Sequence, residues 1–146
     1  MALIKPSRAA QYPLVQEYVF SFGDTVVDVN GVTKDFYNFG GDPVVPMFNL
    51  PQGAVILGGD IIVETAYTGT TAATLSVGDS GSATKYASAV NLMAAARTAL
   101  TLPAATTGGL NVIGTLALTV ADATAGKVRV RIEYTIEGRG NEVQST

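Results

Sequence analysis

The sequence predicts an all-β protein of about six to eight short antiparallel strands, folded as a sandwich, jelly roll or barrel. Apolar and polar residues alternate along several segments, as expected for strands that bury one face. Gly, Pro, Asn and Asp recur between those segments, where turns are expected. One stretch alone, residues 82–100, is rich enough in alanine to suggest a helix.

The N-terminal residues 1–13 are predicted to form an extended arm ahead of a single β domain at residues 14–146. Pro6 and Pro13 disfavour a regular helix or a central strand in this segment. We expect the arm to become ordered against a neighbouring subunit by adding a strand to an exposed sheet edge. Its candidate contact residues are Leu3, Ile4, Lys5, Arg8 and Tyr12.

In the first half of the domain, residues 17–22 place three aromatic side chains on one face, which favours a core position over stacking on sugars or bases. Residues 25–29 end at Asn30-Gly31, a strong hairpin signal, and residues 32–39 are a weaker second strand. Residues 60–67 alternate clearly. Residues 54–57 form a short apolar run, and the Gly58-Gly59 pair is expected to be a turn.

In the second half, residues 72–77 predict a strand that ends in a turn at residues 78–81. Ser82 is placed to cap one or two helical turns within residues 82–100, followed by a strand. Residues 115–120 and 127–137 are predicted to pair as a hairpin. The last segment is the clearest, because every even position from Val128 to Ile136 is apolar and every odd position is polar.

The composition argues against catalysis, so we expect neither an enzyme nor a bound cofactor or metal. The 146 residues include no histidine and no cysteine, which removes the commonest general base and the usual transition-metal ligands. Glu133 and Glu137 would lie about 13 Å apart on one strand, too far for a pair of glycosidic carboxylates. Asp28 begins a fragment of a calcium loop, but tyrosine occupies position 37, where the ligand glutamate is required.

Charge and hydropathy also restrict the partners. The net charge is −3 and the pI is about 4.7, which argues against direct nucleic-acid binding. No apolar run approaches the roughly 20 residues of a membrane helix. Charged residues make up 14% of the chain, against about 25% in an average domain. This low charge favours a surface that is partly covered by partners, including further copies of the chain.

The segment Leu50-Pro-Gln-Gly-Ala-Val-Ile-Leu-Gly-Gly-Asp-Ile-Ile-Val-Glu-Thr-Ala-Tyr67 is followed by Ala73-Thr-Leu-Ser-Val-Gly-Asp79 and then Tyr86-Ala-Ser-Ala89. Together these segments resemble small virion proteins of tailed bacteriophages, known as head decoration, cement or minor structural proteins. The strand Val128-Arg-Val-Arg-Ile-Glu-Tyr134 also fits that family. The resemblance covers residues 50–137 and rests on motifs of low specificity, built from Gly, Thr, Val and Asp.

This resemblance implies a jelly-roll-like fold that decorates the capsid exterior, bridges neighbouring capsid subunits and forms a homotrimer. The implied partner is the major capsid protein, in a virion assembled in the cytoplasm of the host bacterium, and no catalytic residues are implied. Two alternatives stay open: another virion component, such as a tail or receptor-binding protein, and a carbohydrate-binding β module. A carbohydrate module would need exposed aromatic residues, and the chain contains no tryptophan.

Three cations, Lys127, Arg129 and Arg131, fall on the polar face of the C-terminal strand. One interpretation is an exposed face whose charge is balanced by Glu133 and Glu137. The other is contact with an acidic capsid subunit or a sister subunit.

Overall fold

The computed structural model of the protein describes residues 13–38, 44–51, 54–102, 111–118 and 122–136. These residues form ten strands and no helix, so the predicted all-β class is confirmed. Two strands are longer than expected, with 15 residues in β5 and 12 in β10. The strands are β1 (Leu14–Ser21), β2 (Thr25–Val27), β3 (Thr33–Asp35), β4 (Val44–Asn49), β5 (Ala54–Thr68), β6 (Ala73–Asp79), β7 (Ser82–Asn91), β8 (Arg97–Ala99), β9 (Asn111–Leu118) and β10 (Ala125–Ile136).

Eight of these strands form two four-stranded antiparallel sheets. Sheet I has the order β1-β10-β5-β8, and sheet II has the order β4-β9-β6-β7. β2 and β3 form a separate hairpin, with the turn at Asn30-Gly31 that the sequence predicts. Strands that follow one another in the chain often belong to different sheets, so the connections repeatedly cross the space between them.

Both sheets contribute side chains to one apolar core. Val128, Val130 and Ile132 of β10 are fully buried, which confirms the predicted inward face of this strand. From sheet II, Leu75 and Val77 are equally buried. Burying this apolar surface is the main favourable contribution to stability, at roughly 25 cal/mol per Å².

Aromatic side chains join the separate parts of the sandwich. The ring of Tyr18 in β1 lies 6.2 Å from that of Phe48 in β4, edge to face across the two sheets. Phe20 stacks on Phe36 with ring centroids 4.5 Å apart, which holds the β2–β3 hairpin against sheet I. Tyr18 and Phe20 therefore pack against or within the core as predicted, whereas Phe22 lies beyond the end of β1 and is exposed.

The helical turns predicted within residues 82–100 are wrong, because this segment forms β7 and β8. Pairing with β6 and burial of Tyr86 and Ala87 outweigh the intrinsic preference of alanine for helix. The turn predicted at Gly58-Gly59 is also wrong, because both glycines lie inside β5. A Cβ at Gly59 would overlap the carbonyl oxygen of Arg131, so glycine here lets two strands approach closely.

The hairpin predicted between residues 115–120 and 127–137 is wrong as well. β9 pairs with β4 and β6, while β10 pairs with β1 and β5, so the two segments belong to opposite sheets. Strands that face each other across a core have the same period-two pattern as strands that pair side by side, and sequence neighbours need not pair.

Candidate interaction surface

The face of sheet I that points away from the core carries most of the clustered charge in the described part of the chain. Odd-numbered residues of β10 lie on this outer face, opposite residues of β1 on one side and β5 on the other. Arg129 lies between Val19 and Ile62, and Arg131 lies between Glu17 and Asp60. The strand β8 then adds Arg97 and Ala99 at the edge of the sheet.

The first part of this surface is a balanced group of two cations and two carboxylates. Lys127 Nζ lies 3.0 Å from Glu64 Oε2, and Arg129 Nε lies 2.7 Å from Glu64 Oε1. Arg129 also donates to Glu17 Oε2 at 2.7 Å. A shift in the β5–β10 register between Lys127 and Val128 adds Glu64 as an extra residue, within reach of both cations.

These contacts favour the charged forms of both kinds of group. Hydrogen bonds from Arg129 and then Lys127 hold the pKa of Glu64 below its ordinary value. The hydrogen bond to Glu64 likewise raises the pKa of Arg129 above its ordinary value. All four side chains of the group are partly exposed, so these pairs orient the surface more than they stabilise the fold.

The second part is an unequal group of two arginines around one buried carboxylate. The side chain of Asp60 is 5% exposed, and its Oδ2 lies 3.1 Å from Nη2 of Arg131. The same oxygen forms an ion pair with Arg97, whose side chain is 64% exposed at the rim of the sheet. Asp60 Oδ1 is buried and has no hydrogen-bond partner among the described residues.

Lys127, Arg129 and Arg131 thus lie on the predicted polar face, but their described partners are Glu64, Glu17 and Asp60 and do not include Glu133. Their ion-pair partners lie on the neighbouring strands β1 and β5, because residues opposite each other across strands are only about 5 Å apart. Glu133 forms no ion pair with a described residue, and Glu137 lies outside the described residues.

Contact of these cations with a partner stays a prediction. The arm residues Leu3, Ile4, Lys5, Arg8 and Tyr12 also lie outside the described residues. Sequence reasoning missed Arg97, Asp60, Glu17 and Glu64 as members of this surface. The strand register brings these four residues together, and no local sequence motif predicts that register.

A groove of about 470 Å³ lies beside sheet II, lined by Val29, Val44, Pro46 and residues 79–83. Asp79, the carboxylate among its described lining residues, already accepts hydrogen bonds from the turn between β6 and β7. Oδ1 accepts the backbone N–H groups of Gly81 and Ser82 at 2.9 and 3.0 Å, and Oδ2 accepts Lys85 Nζ at 2.6 Å. The turn predicted at residues 78–81 is therefore present, closed by this side chain.

Burial alone would raise the pKa of Asp79. The hydrogen bonds from Lys85, Ser82 and Gly81 outweigh burial and hold that pKa below its ordinary value. No three His, Cys, Asp or Glu side chains among the described residues lie close enough to hold a metal ion. Nor does that part of the chain contain a helix able to cross a membrane.

No protein-family model and no curated protein matches the sequence. Among solved structures, a chain of the cyanophage Pam1 capsid asymmetric unit is similar to this protein, with 25% sequence identity and a TM-score of 0.56. The match covers 93% of this chain and 94% of that chain, so the two chains have nearly equal lengths. The protein is therefore similar, over nearly its whole length, to a chain of a cyanophage capsid asymmetric unit.

Proposed function

We propose that this protein is a structural component of a bacteriophage capsid. The observation that carries the proposal is the similarity, over 93% of the chain, to a chain of a phage capsid asymmetric unit. Because the match spans both chains almost completely, it concerns the whole sandwich and not one shared hairpin. The proposed location of the protein is accordingly the virion.

More specifically, we propose a decoration or cement protein that binds the outside of the head and bridges capsid subunits. A compact β-sandwich that binds only the assembled shell stabilises that shell by mass action. The outer face of sheet I is suited to such contact, because exposed Val15 and Val19 flank its charged centre. Assembly of the virion is proposed to occur in the cytoplasm of the host bacterium.

The strand order supports a jelly roll for this sandwich. When the eight strands of the two sheets are numbered 1 to 8 along the chain, leaving out β2 and β3, the strand order is 1-8-3-6 in sheet I and 2-7-4-5 in sheet II. We propose that this is the double Greek-key winding of a jelly roll, a fold used by viral capsid proteins and also by lectins and cupins. Fold alone therefore does not decide the function.

We also propose that the protein has no catalytic activity. Among the described carboxylates, Glu17, Asp60, Glu64 and Asp79 are engaged by cations. A homotrimer is proposed for the assembled state, in which a heterologous interface joins one patch of each copy to a different patch of the next copy and closes into a ring. The low fraction of charged residues, 14% of the chain, favours such self-association.

The test of the decoration role is an add-back experiment. Particles produced without this protein are heated with and without the purified protein, and DNA release is followed by dye fluorescence. We expect release at a lower temperature without the protein, full restoration on add-back, and on the order of hundreds of bound copies arranged by the capsid symmetry. About a dozen copies located at one vertex would instead indicate a tail or receptor-binding component.

Two further measurements test the remaining parts of the proposal. Light scattering of the purified protein is expected to give the mass of a trimer. Native mass spectrometry of protein released from capsids tests whether the protein is a trimer on the capsid. A glycan array tests the carbohydrate-binding alternative. Two of the three aromatic residues of the predicted stripe are not offered to a sugar, because Phe20 is buried and Tyr18 packs against the core, while Phe22 is exposed.

A further inference from the structure

The charges on the outer face of sheet I are paired unequally along the surface. Lys127 and Arg129 face two carboxylates, Glu17 and Glu64. Arg97 and Arg131, by contrast, share a single oxygen of Asp60. Within these ion pairs, the one cation without a carboxylate of its own therefore belongs to the Arg97–Asp60–Arg131 cluster, on the β8 side of the sheet.

The two arginines of this cluster have more hydrogen-bond donors than the described carboxylates accept. Each guanidinium has five N–H groups in a planar fork. The arginine contacts of Asp60 are confined to its Oδ2 atom, which leaves most donors of both forks without a carboxylate among the described residues. Glu133 is the nearest acidic residue along β10, but it forms no ion pair with any described residue.

The cluster is both accessible and held in place. Arg97 is 64% exposed and belongs to the edge strand β8, so an approaching group can reach its fork directly. Asp60 is 5% exposed and lies within the hydrogen-bonded centre of β5, paired on both sides. A fixed carboxylate beneath the arginines orients their forks before a partner arrives, which lowers the entropic cost of binding.

We propose that the Arg97–Asp60–Arg131 cluster is the anchor for an acidic side chain of a capsid subunit, a proposal that rests on the capsid-binding function proposed above. A carboxylate matches the fork geometry of arginine and the single positive charge that the cluster has in excess. A nucleic acid does not fit as well, because its binding requires many phosphate contacts and this chain has a net charge of −3.

The test uses single substitutions that keep the buried carboxylate paired. Arg97→Gln leaves Asp60 with Arg131, and Arg131→Gln leaves it with Arg97, so both variants are expected to fold. Lys34→Gln, on the separate β2–β3 hairpin, is the control with the same change in net charge. Circular dichroism and the melting temperature establish that each variant is folded before binding is measured.

Binding is measured against phage capsids produced without this protein, at low and at high salt. We expect the dissociation constant to rise about tenfold for Arg97→Gln and for Arg131→Gln, with the difference shrinking as salt screens the pair. Lys34→Gln should bind as the wild type does. Arg129→Gln should weaken binding less than Arg97→Gln, because the charge of Arg129 is already compensated. Arg97→Lys should fall between Arg97→Gln and the wild type, since lysine keeps the charge but loses the fork.

The outcomes separate this proposal from the function on which it rests. If the wild type binds capsids and Arg97→Gln binds equally well, the anchor is refuted and the capsid function stands. If the wild type does not bind capsids, the proposed function fails, and the anchor fails with it. Loss in Arg97→Gln of binding to a single-stranded oligonucleotide, or of self-association, would assign the cluster to a phosphate or to a second copy and overturn the proposal.

Discussion

Replacing each glycine of the Gly58-Gly59 pair by alanine tests how closely β5 and β10 approach each other. At Gly58 an added Cβ would meet no atom within 4 Å. At Gly59 it would overlap the carbonyl oxygen of Arg131 and lie 2.8 Å from Leu100 Cδ1 and 3.1 Å from Ile132 Cα. Neither glycine has the positive φ that would strain an alanine.

The two substitutions are therefore expected to have opposite signs. Gly58→Ala should stabilise the fold by about 0.5–1 kcal/mol, because alanine has less conformational freedom to lose on folding. Gly59→Ala gains the same amount but forces a backbone atom of the central strand to move. Overpacking of this kind costs roughly 1–3 kcal/mol, and the upper end applies where the obstacle is backbone. The net loss is about 2 kcal/mol, or roughly 4–8 °C in melting temperature for a chain of this size.

Urea denaturation followed by far-UV circular dichroism measures both variants against the wild type at one protein concentration. If Gly59 is required because β5 and β10 lie so close together, Gly59→Ala should unfold at a clearly lower urea concentration than Gly58→Ala, with similar m-values. Equal midpoints for the two variants would refute it, and would mean that the strands separate at Gly59 without cost.

Three further predictions concern stability and the arm. Asp79→Asn should cost about 1–2 kcal/mol at pH 7 through loss of the pair with Lys85. The pKa of Asp79 is lower in the folded state than in the unfolded state. The stabilisation is therefore complete above the unfolded-state pKa of about 4 and is lost as pH falls through the folded-state pKa. The unfolding curves of the wild type and Asp79→Asn should accordingly converge in acid. Phe36→Ala should cost about 3–5 kcal/mol by removing a buried ring, whereas Tyr37→Ala, at an exposed neighbour, should cost under about 1 kcal/mol by the same urea assay. Deletion of residues 1–11, which belong to the predicted arm, should leave the melting temperature almost unchanged and should lower capsid affinity; a large fall in melting temperature would contradict the arm.

Sequence reasoning succeeded where a feature depends on local pattern. The alternation from Val128 to Ile136 required a half-buried strand, and Asn30-Gly31 required a hairpin turn, since both follow from backbone geometry within a few residues. The turn predicted at Gly58-Gly59 and the helical turns predicted in the alanine-rich stretch are wrong because the structure of both segments depends on distant parts of the chain. Whether Gly58-Gly59 bends the chain or lets two strands meet depends on β10, some 70 residues away in the chain.

The candidate surface was only half predictable for the same reason. The face of Arg129 and Arg131 followed from alternation alone. Their partners Glu17, Glu64 and Asp60 depend on the registers of β1 and β5 against β10, and a slip of one residue would turn every side chain to the other face. A register shift, such as the one that places Glu64 between two cations, leaves no mark in a single sequence.

The position of β10 inside sheet I has a consequence for how the chain folds during synthesis. This strand lies between β1 and β5, so the last described strand to leave the ribosome completes the sheet. Until residues 125–136 emerge, β1 has no partner among the described strands of sheet I, and β5 has only the three-residue β8. Sheet I can therefore close only after residues 125–136 have emerged, and its contacts join distant parts of the chain, which makes folding slow. A chain that stops before residue 125 exposes two long strand edges at once, and aggregation would begin from that form.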